Sequence, residues 1–205
     1  MIHVYGIGPG ALPWLSQGIT VLFQEVDVIM GSERQLEVVP TIFKDKKRQL
    51  DRKLHDVREY LLAQENQQKD TLLLASGDPM LFGIANFLIK EIGTEHLTVY
   101  SGISSLQYIF SRIGIAMNDS YLTSSHGKTP NYDLINQLSK IALVTDERVG
   151  PYQLAQELIK RGNREAIFYI GENLSYPEER IRSYLISDVP NENYDTNVVV
   201  ILNEG

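Results

Sequence analysis

Cysteine is absent from the chain, which removes disulfides, thiolate nucleophiles and cysteine-ligated zinc or iron–sulfur sites at once and leaves no redox compartment to infer. Histidine is scarce: His3, His55, His96 and His126 show no ligand-like spacing, so no metal site is expected. No apolar run approaches the roughly 20 residues of a membrane helix. Met1-Ile2-His3-Val4-Tyr5 lacks a basic n-region and cleavage site, so a cytoplasmic protein with no membrane partner is expected. Positive charge is in deficit, with 19 Lys and Arg against 26 Asp and Glu and a net charge of −7. That balance argues against a nucleic-acid partner held by broad phosphate neutralisation, and any anionic ligand must meet a local basic patch. Nucleophile elbow, Walker loop and HExxH are also missing. Nothing demands covalent or hydrolytic catalysis; the expected reaction is one in which a reactive cosubstrate brings its own leaving group.

What is present is a 43% apolar chain of 205 residues, enough to bury a real core. Alternation and short apolar runs predict strands at Ile2–Ile7, Val26–Gly31, Leu72–Ala75 and Leu97–Tyr100, and later at Ser120–Ser124, Ile141–Thr145, Ala166–Ile170 and Thr196–Leu202. Between them, three-and-four spacing predicts helices. One is capped by Ser16 and carries Ile19, Leu22, Phe23 and Val26; others end near Gln64 or run over Met80–Ile92, Leu106–Ile113, Tyr132–Ser139 and Pro151–Lys160. Strands that end in glycine loops opening helices predict an α/β fold with a mostly parallel sheet. The pattern changes at Gly114, giving two expected α/β lobes, 1–114 and 115–205. The basic run Lys44–Lys53 reads as a solvated face or as a local offset to the acidic whole near an anionic substrate.

Ligands of open α/β sheets settle outside the carboxyl ends of the strands, where four glycine-marked loops fall. GIGPG, Gly6–Gly10, is either a backbone that approaches a ligand or a tight turn. Gly6, Gly8 and Ala11 satisfy a loose dinucleotide fingerprint, but Pro9 removes an amide from any phosphate cradle and Pro13 falls where a helix should begin. Asp78 precedes Pro79 and has two compatible roles: an N-cap with proline at the first helical position, or a carboxylate framing a ligand pocket. Ser101–Ser105, SGISS, offers Ser104 and Ser105 at another predicted helix start. His126 lies in the polar loop SHGKTPNYD.

The order GIGPG, GDPMLFG, SGISS and TD resembles the tetrapyrrole methylase family, whose members carry GxGPG, GDPxxxG and PGxSS in that order, and the likeness spans nearly the whole chain. DVIMGSERQL, SGISSLQYIFSRIGIAMNDS, SSHGK and GENLSYPEERI resemble the branch that methylates C5 of a reduced corrinoid ring. Three departures stand out: Ser101 for the usual proline, Lys128 for an arginine, which keeps the charge but loses the bidentate fork, and Ser16 for a threonine.

The resemblance implies two α/β lobes with S-adenosylmethionine bound between them. It implies donor contacts at Pro9, Asp78, Met80, Leu81, Ser104 and Ser105, with Thr145, Tyr169 and Thr196 in the second lobe. A polycarboxylate cobalt-precorrin is the implied substrate, lying beside Gly8 and Gly10, with Arg34, Arg112, His126 and Lys128 as its candidate cations. No general base is assigned; His126 is the one candidate. A homodimer is implied, and so is a separate C15-methylating, decarboxylating enzyme as functional partner. The alternatives are another branch of the family acting on a precorrin, sirohaem precursor, diphthine or ribosomal RNA, or a nicotinamide-dependent oxidoreductase using the GxGxxA match.

Overall fold

The computed structural model describes residues 1–10, 17–50 and 53–203. Ala11, Pro13 and Ser16 lie outside them. The chain forms two compact units, Met1–Ser104 and Ser105–Gly205. The break therefore falls at the end of SGISS, ahead of the Gly114 boundary expected from sequence. The helix that follows SGISS packs on strands of the second sheet and goes with the second unit.

The first unit holds an all-parallel sheet of β1 (Ile2–Gly6), β2 (Val28–Gly31), β3 (Lys47–Gln49), β4 (Thr71–Ala75) and β5 (Leu97–Tyr100), in the order β3-β2-β4-β1-β5. Thr71-Leu72-Leu73-Leu74-Ala75 is buried at every position, as a central parallel strand covered on both faces must be. One face carries α1 (Ile19–Glu25), whose Ile19, Leu22 and Phe23 pack with Tyr5, Ile29, Leu72 and Leu74. The other carries α3 (Leu54–Asn66) and α4 (Ala85–Ile92), with Val57, Leu61, Ala85 and Leu88 against Ile2, Val4 and Leu73. The chain thus leaves neighbouring strands β1 and β4 toward opposite faces, the arrangement that opens a crevice at the carboxyl edge. Between β2 and β3, the four-residue α2 (Glu33–Leu36) begins in a capping box of Ser32 and Gln35.

The basic run is not simply a solvated face. Lys47–Gln49 pairs with β2, and Lys46 Nζ donates to the carbonyls of Phe23, Gln24 and Val26 at 3.2, 2.8 and 2.6 Å, closing the end of α1.

The second unit contains α5 (Ser105–Ile113), β6 (Tyr121–Ser124), α6 (Tyr132–Gln137), β7 (Lys140–Val144), α7 (Pro151–Lys160), β8 (Ile167–Glu172), β9 (Arg180–Leu185) and β10 (Asn197–Leu202). Its sheet runs β6-β7-β10-β8-β9, and only β6 and β7 are parallel. The first unit's sheet is parallel throughout, as its strand–loop–helix alternation predicts, whereas this one is mixed, because β8, β9 and β10 follow one another without helical crossovers. Strand β9 escapes sequence reading: RIRSYL is a polar edge strand with no buried residue.

Candidate functional site

In the first unit the carboxyl ends of β1, β4 and β5 bring GIGPG, GDP and SGISS together. Gly8 and Gly77 exchange backbone hydrogen bonds, Gly8 N–H to Gly77 O at 3.3 Å and Gly77 N–H to Gly8 O at 2.6 Å. A Cβ on Gly6 would sit 2.6 Å from both Gly102 N and Gly77 O, so three loops touch through three glycines. The glycines are required by this interlock, and the Gly8 amide is turned to a carbonyl rather than offered to a phosphate. That takes the Gly8 amide out of any dinucleotide cradle.

Asp78 does not cap a helix, because α4 begins only at Ala85 and its N-cap, Ile84, makes no side-chain bond. Its Oδ1 instead accepts from Met80 N–H at 2.8 Å and its Oδ2 from Gly102 N–H at 3.3 Å, tying GDP to SGISS. The carboxylate is half-buried and has no ion-pair partner among the described residues. Two backbone amides leave lone pairs for a hydroxyl or ammonium. Exposed apolar side chains stand around it, Met80 at 45% and Ile103 at 38%, with Phe82 at 42% held at φ 56°. A charged acceptor beside exposed apolar surface suits a ligand that joins a cationic or hydroxyl-bearing group to a flat apolar ring. Ser104 is buried and Ser105 opens α5; Pro9 and Leu81 are half-buried on the same loops. Arg34 reaches these loops from α2: its Nη2 donates to Ser76 Oγ at 3.2 Å, beside Gln35 Nε2 at 3.0 Å.

In the second unit one sheet edge collects the ends of β6, β7 and β8 and the starts of β9 and β10. Thr145 Oγ1 donates to Asn197 Oδ1 at 2.6 Å, joining β7 to β10. Thr196 lies next to Asn197 and is exposed, whereas Tyr169 sits inside β8 opposite Val200 and Ser183. The SHGK turn is exposed at His126, Gly127 and Lys128, yet its backbone is tied down. His126 N–H donates to Ser124 Oγ at 3.0 Å, Ser125 Oγ to Val149 O at 2.9 Å, and Gly127 N–H to Asp146 Oδ2 at 3.0 Å. Asp146 Oδ1 also takes the amides of Arg148 and Val149 at 3.1 and 2.9 Å. The Gly127 and Val149 amides, first among its causes, hold the Asp146 carboxyl below the usual range.

Arg112 is not a simple candidate for a substrate carboxylate. Its Nε pairs with Glu179 Oε1 at 2.8 Å, while Ser175 N–H reaches Glu179 Oε2 at 2.7 Å. Burial raises the Glu179 carboxyl, but the Ser175 amide, Tyr108 and Arg112 outweigh it and hold it lower. A ligand would have to compete with Glu179 for Arg112.

Sequence reasoning missed the side chains that organise this edge: Asp146, Glu172, Asn173 and Asn197. Asp146 follows the predicted strand Ile141–Thr145 and Glu172 and Asn173 follow Ala166–Ile170, but the partners that tie them to other loops, Gly127, Asp195 and Thr196, are remote in sequence. Among the described residues no group of three or more His, Asp or Glu side chains could hold a metal ion, and no helix is long and apolar enough to cross a membrane.

Residues 1–190 match the family model of the tetrapyrrole (corrin/porphyrin) methylases. The chain is 35% identical to the cobalt-precorrin-7 C(5)-methyltransferase of Salmonella typhimurium over 204 residues, covering 100% of both chains. Its fold is similar to that of the cobalamin biosynthesis precorrin-6Y methylase from Archaeoglobus fulgidus, with a TM-score of 0.79, 21% identity and coverage of 100% and 99% of the two chains. It is also similar in fold to a uroporphyrin-III C-methyltransferase from Thermus thermophilus complexed with S-adenosylhomocysteine, with a TM-score of 0.71, 19% identity and coverage of 98% and 96%.

Proposed function

The chain belongs to the tetrapyrrole (corrin/porphyrin) methylase family, and from that premise we propose that it transfers a methyl group from S-adenosylmethionine to C5 of cobalt-precorrin-7, giving cobalt-precorrin-8 in the anaerobic route to cobalamin. The observation that carries this reading is the full-length 35% identity to a relative of that name. The Asp78-centred loop cluster agrees with it.

When bound, the donor supplies a sulfonium-activated methyl group. Asp78 and the carbonyls of the GIGPG and GDP loops accept its hydroxyl and ammonium hydrogens, with Pro9, Met80, Leu81, Ser104 and Ser105 around it. Thr145, Tyr169 and Thr196 are the proposed contacts contributed by the second unit. Gly8 and Gly10 admit the macrocycle close to the backbone, while Arg34, His126 and Lys128 meet its carboxylates. Arg112 joins them only by exchanging Glu179 for substrate. An electron-rich ring carbon needs little acid–base help, so the protein's work is alignment, which is worth roughly 7 to 11 kcal/mol in favourable cases. His126 is the candidate to receive the proton lost after transfer. A cytoplasmic homodimer served by a separate C15-methylating, decarboxylating enzyme completes the reading.

Purified protein should move labelled methyl from S-adenosylmethionine to cobalt-precorrin-7 and give calorimetric heat with S-adenosylhomocysteine; heat with NAD alone would overturn the proposal. Asp78→Ala should weaken S-adenosylhomocysteine binding about tenfold, and because it also removes the acceptor of the Met80 and Gly102 amides it should lower stability by about 1 kcal/mol.

A further inference from the structure

Glu172 is buried to 0% exposure at the end of β8, and among the described residues no other carboxylate is buried so completely. Both of its oxygens are engaged. Oε1 accepts from Arg180 Nη2 at 2.8 Å and from the backbone amide of Asp195 at 3.2 Å; Oε2 accepts from Arg182 Nη2 at 2.8 Å. Burying this charge carries a large desolvation penalty, and an apolar side chain of similar size would hold the β8–β9 pair more cheaply, since the backbone ladder already joins Glu172 to Arg180. What an apolar residue could not do is hold the Asp195 amide.

That amide begins a chain of contacts. The neighbouring Asn173 donates its backbone N–H to Thr196 O at 3.0 Å and its Nδ2 to Asp195 Oδ2 at 2.9 Å. Asn197 Nδ2 donates to Asp195 O at 2.8 Å, and Asn197 Oδ1 receives the Thr145 hydroxyl. The segment entering β10 is therefore clamped from one side by Glu172 and Asn173 and bonded on the other to Thr145.

We propose that Glu172 is a positioning residue: acting through Asp195, it fixes Thr196 and Asn197, and through Asn197 the Thr145 hydroxyl, so that this sheet edge is preformed for the methyl donor. The inference rests on the proposed donor contacts at Thr145 and Thr196. Its geometry is independent of them.

Two measurements on the full chain test it. In hydrogen exchange without ligand, Glu172→Gln should speed exchange of the 195–197 segment about tenfold while the rest of β10 keeps its protection. Unchanged exchange at 195–197, or equal acceleration everywhere, overturns the positioning role. In calorimetry with S-adenosylhomocysteine, Glu172→Gln should raise Kd about tenfold, and combining it with Thr196→Ala should add little to the larger single effect. Fully multiplying effects, or a wild-type Kd for Glu172→Gln, overturn the link to the donor. Failure of the wild-type chain to bind S-adenosylhomocysteine would instead overturn the functional reading, with the exchange result still deciding the clamp. Should Glu172→Gln not fold, Asn173→Gly, which suits the φ of 48° at that position, removes the Asn173 side-chain bond to Asp195 and is read in the same two assays.

Discussion

The two units join their loops with different materials. In the first, GIGPG, GDP and SGISS meet main chain to main chain, through the Gly8–Gly77 pair and the contact of Gly6 with Gly77 and Gly102, and the Asp78 side chain bonds GDP to SGISS. In the second, the equivalent work falls to side chains: Asp146 gathers the SHGK turn, Asn197 meets Thr145, and Glu172 and Asn173 hold the entry to β10. A parallel sheet places all its carboxyl ends on one edge, so neighbouring loops lie close enough for backbones to touch if glycine permits. A mixed sheet brings strand starts and ends to one edge, and the loops there are spaced by side chains.

Substitutions should separate the two modes. The largest effect is expected at Gly6→Ala, where the new methyl would meet two backbones, and a loss of about 3 kcal/mol in denaturant unfolding is the outcome of such overpacking. Gly127→Ala is the counterpart: φ is 70° but no atom lies within 4 Å of the added carbon, so only the conformational cost of about 1 kcal/mol applies. Equal losses at the two positions would erase the distinction. Next in size is Asp146→Asn, read as a function of pH. The folded carboxyl lies below its ordinary value of 3.8, so its contribution to stability is complete above about pH 4 and fades as pH falls through the lowered folded value. The stability gap between wild type and Asp146→Asn should therefore narrow in acid; a gap that widens there would contradict the hydrogen-bonded arrangement of this carboxylate. The smallest effect, about 1 kcal/mol, is expected of Lys46→Met. It tests the exception in the first unit, a lysine that satisfies three carbonyls at the end of α1, and an unchanged unfolding midpoint would show those bonds to be replaceable by water.

The same contrast governs what could be read from sequence. Glycine-marked strand ends announce themselves locally, so β1, β4 and β5 and their loops were legible, and Asp78 stood out among them. Its partners did not: a carboxylate next to proline suggests a cap, and only the structure shows that α4 starts at Ala85 and that Asp78 bonds Gly102 from another loop. In the second unit, Thr145 and Thr196 stand out through family likeness, but nothing local links Thr145 to Asn197 or Thr196 to Glu172. Arg180–Leu185 lacked apolar alternation because its arginines answer a buried acid on the neighbouring strand. Arg112 looked like a ligand for anions because Glu179 lies 67 positions away.

The reciprocal bonds between Gly8 and Gly77 carry a further consequence. Loops that recognise small molecules often lose conformational entropy on docking, which subtracts from affinity. Here the two backbones are knotted to each other beforehand, so an incoming molecule meets a rim already frozen, and the chain there has little disorder left to surrender.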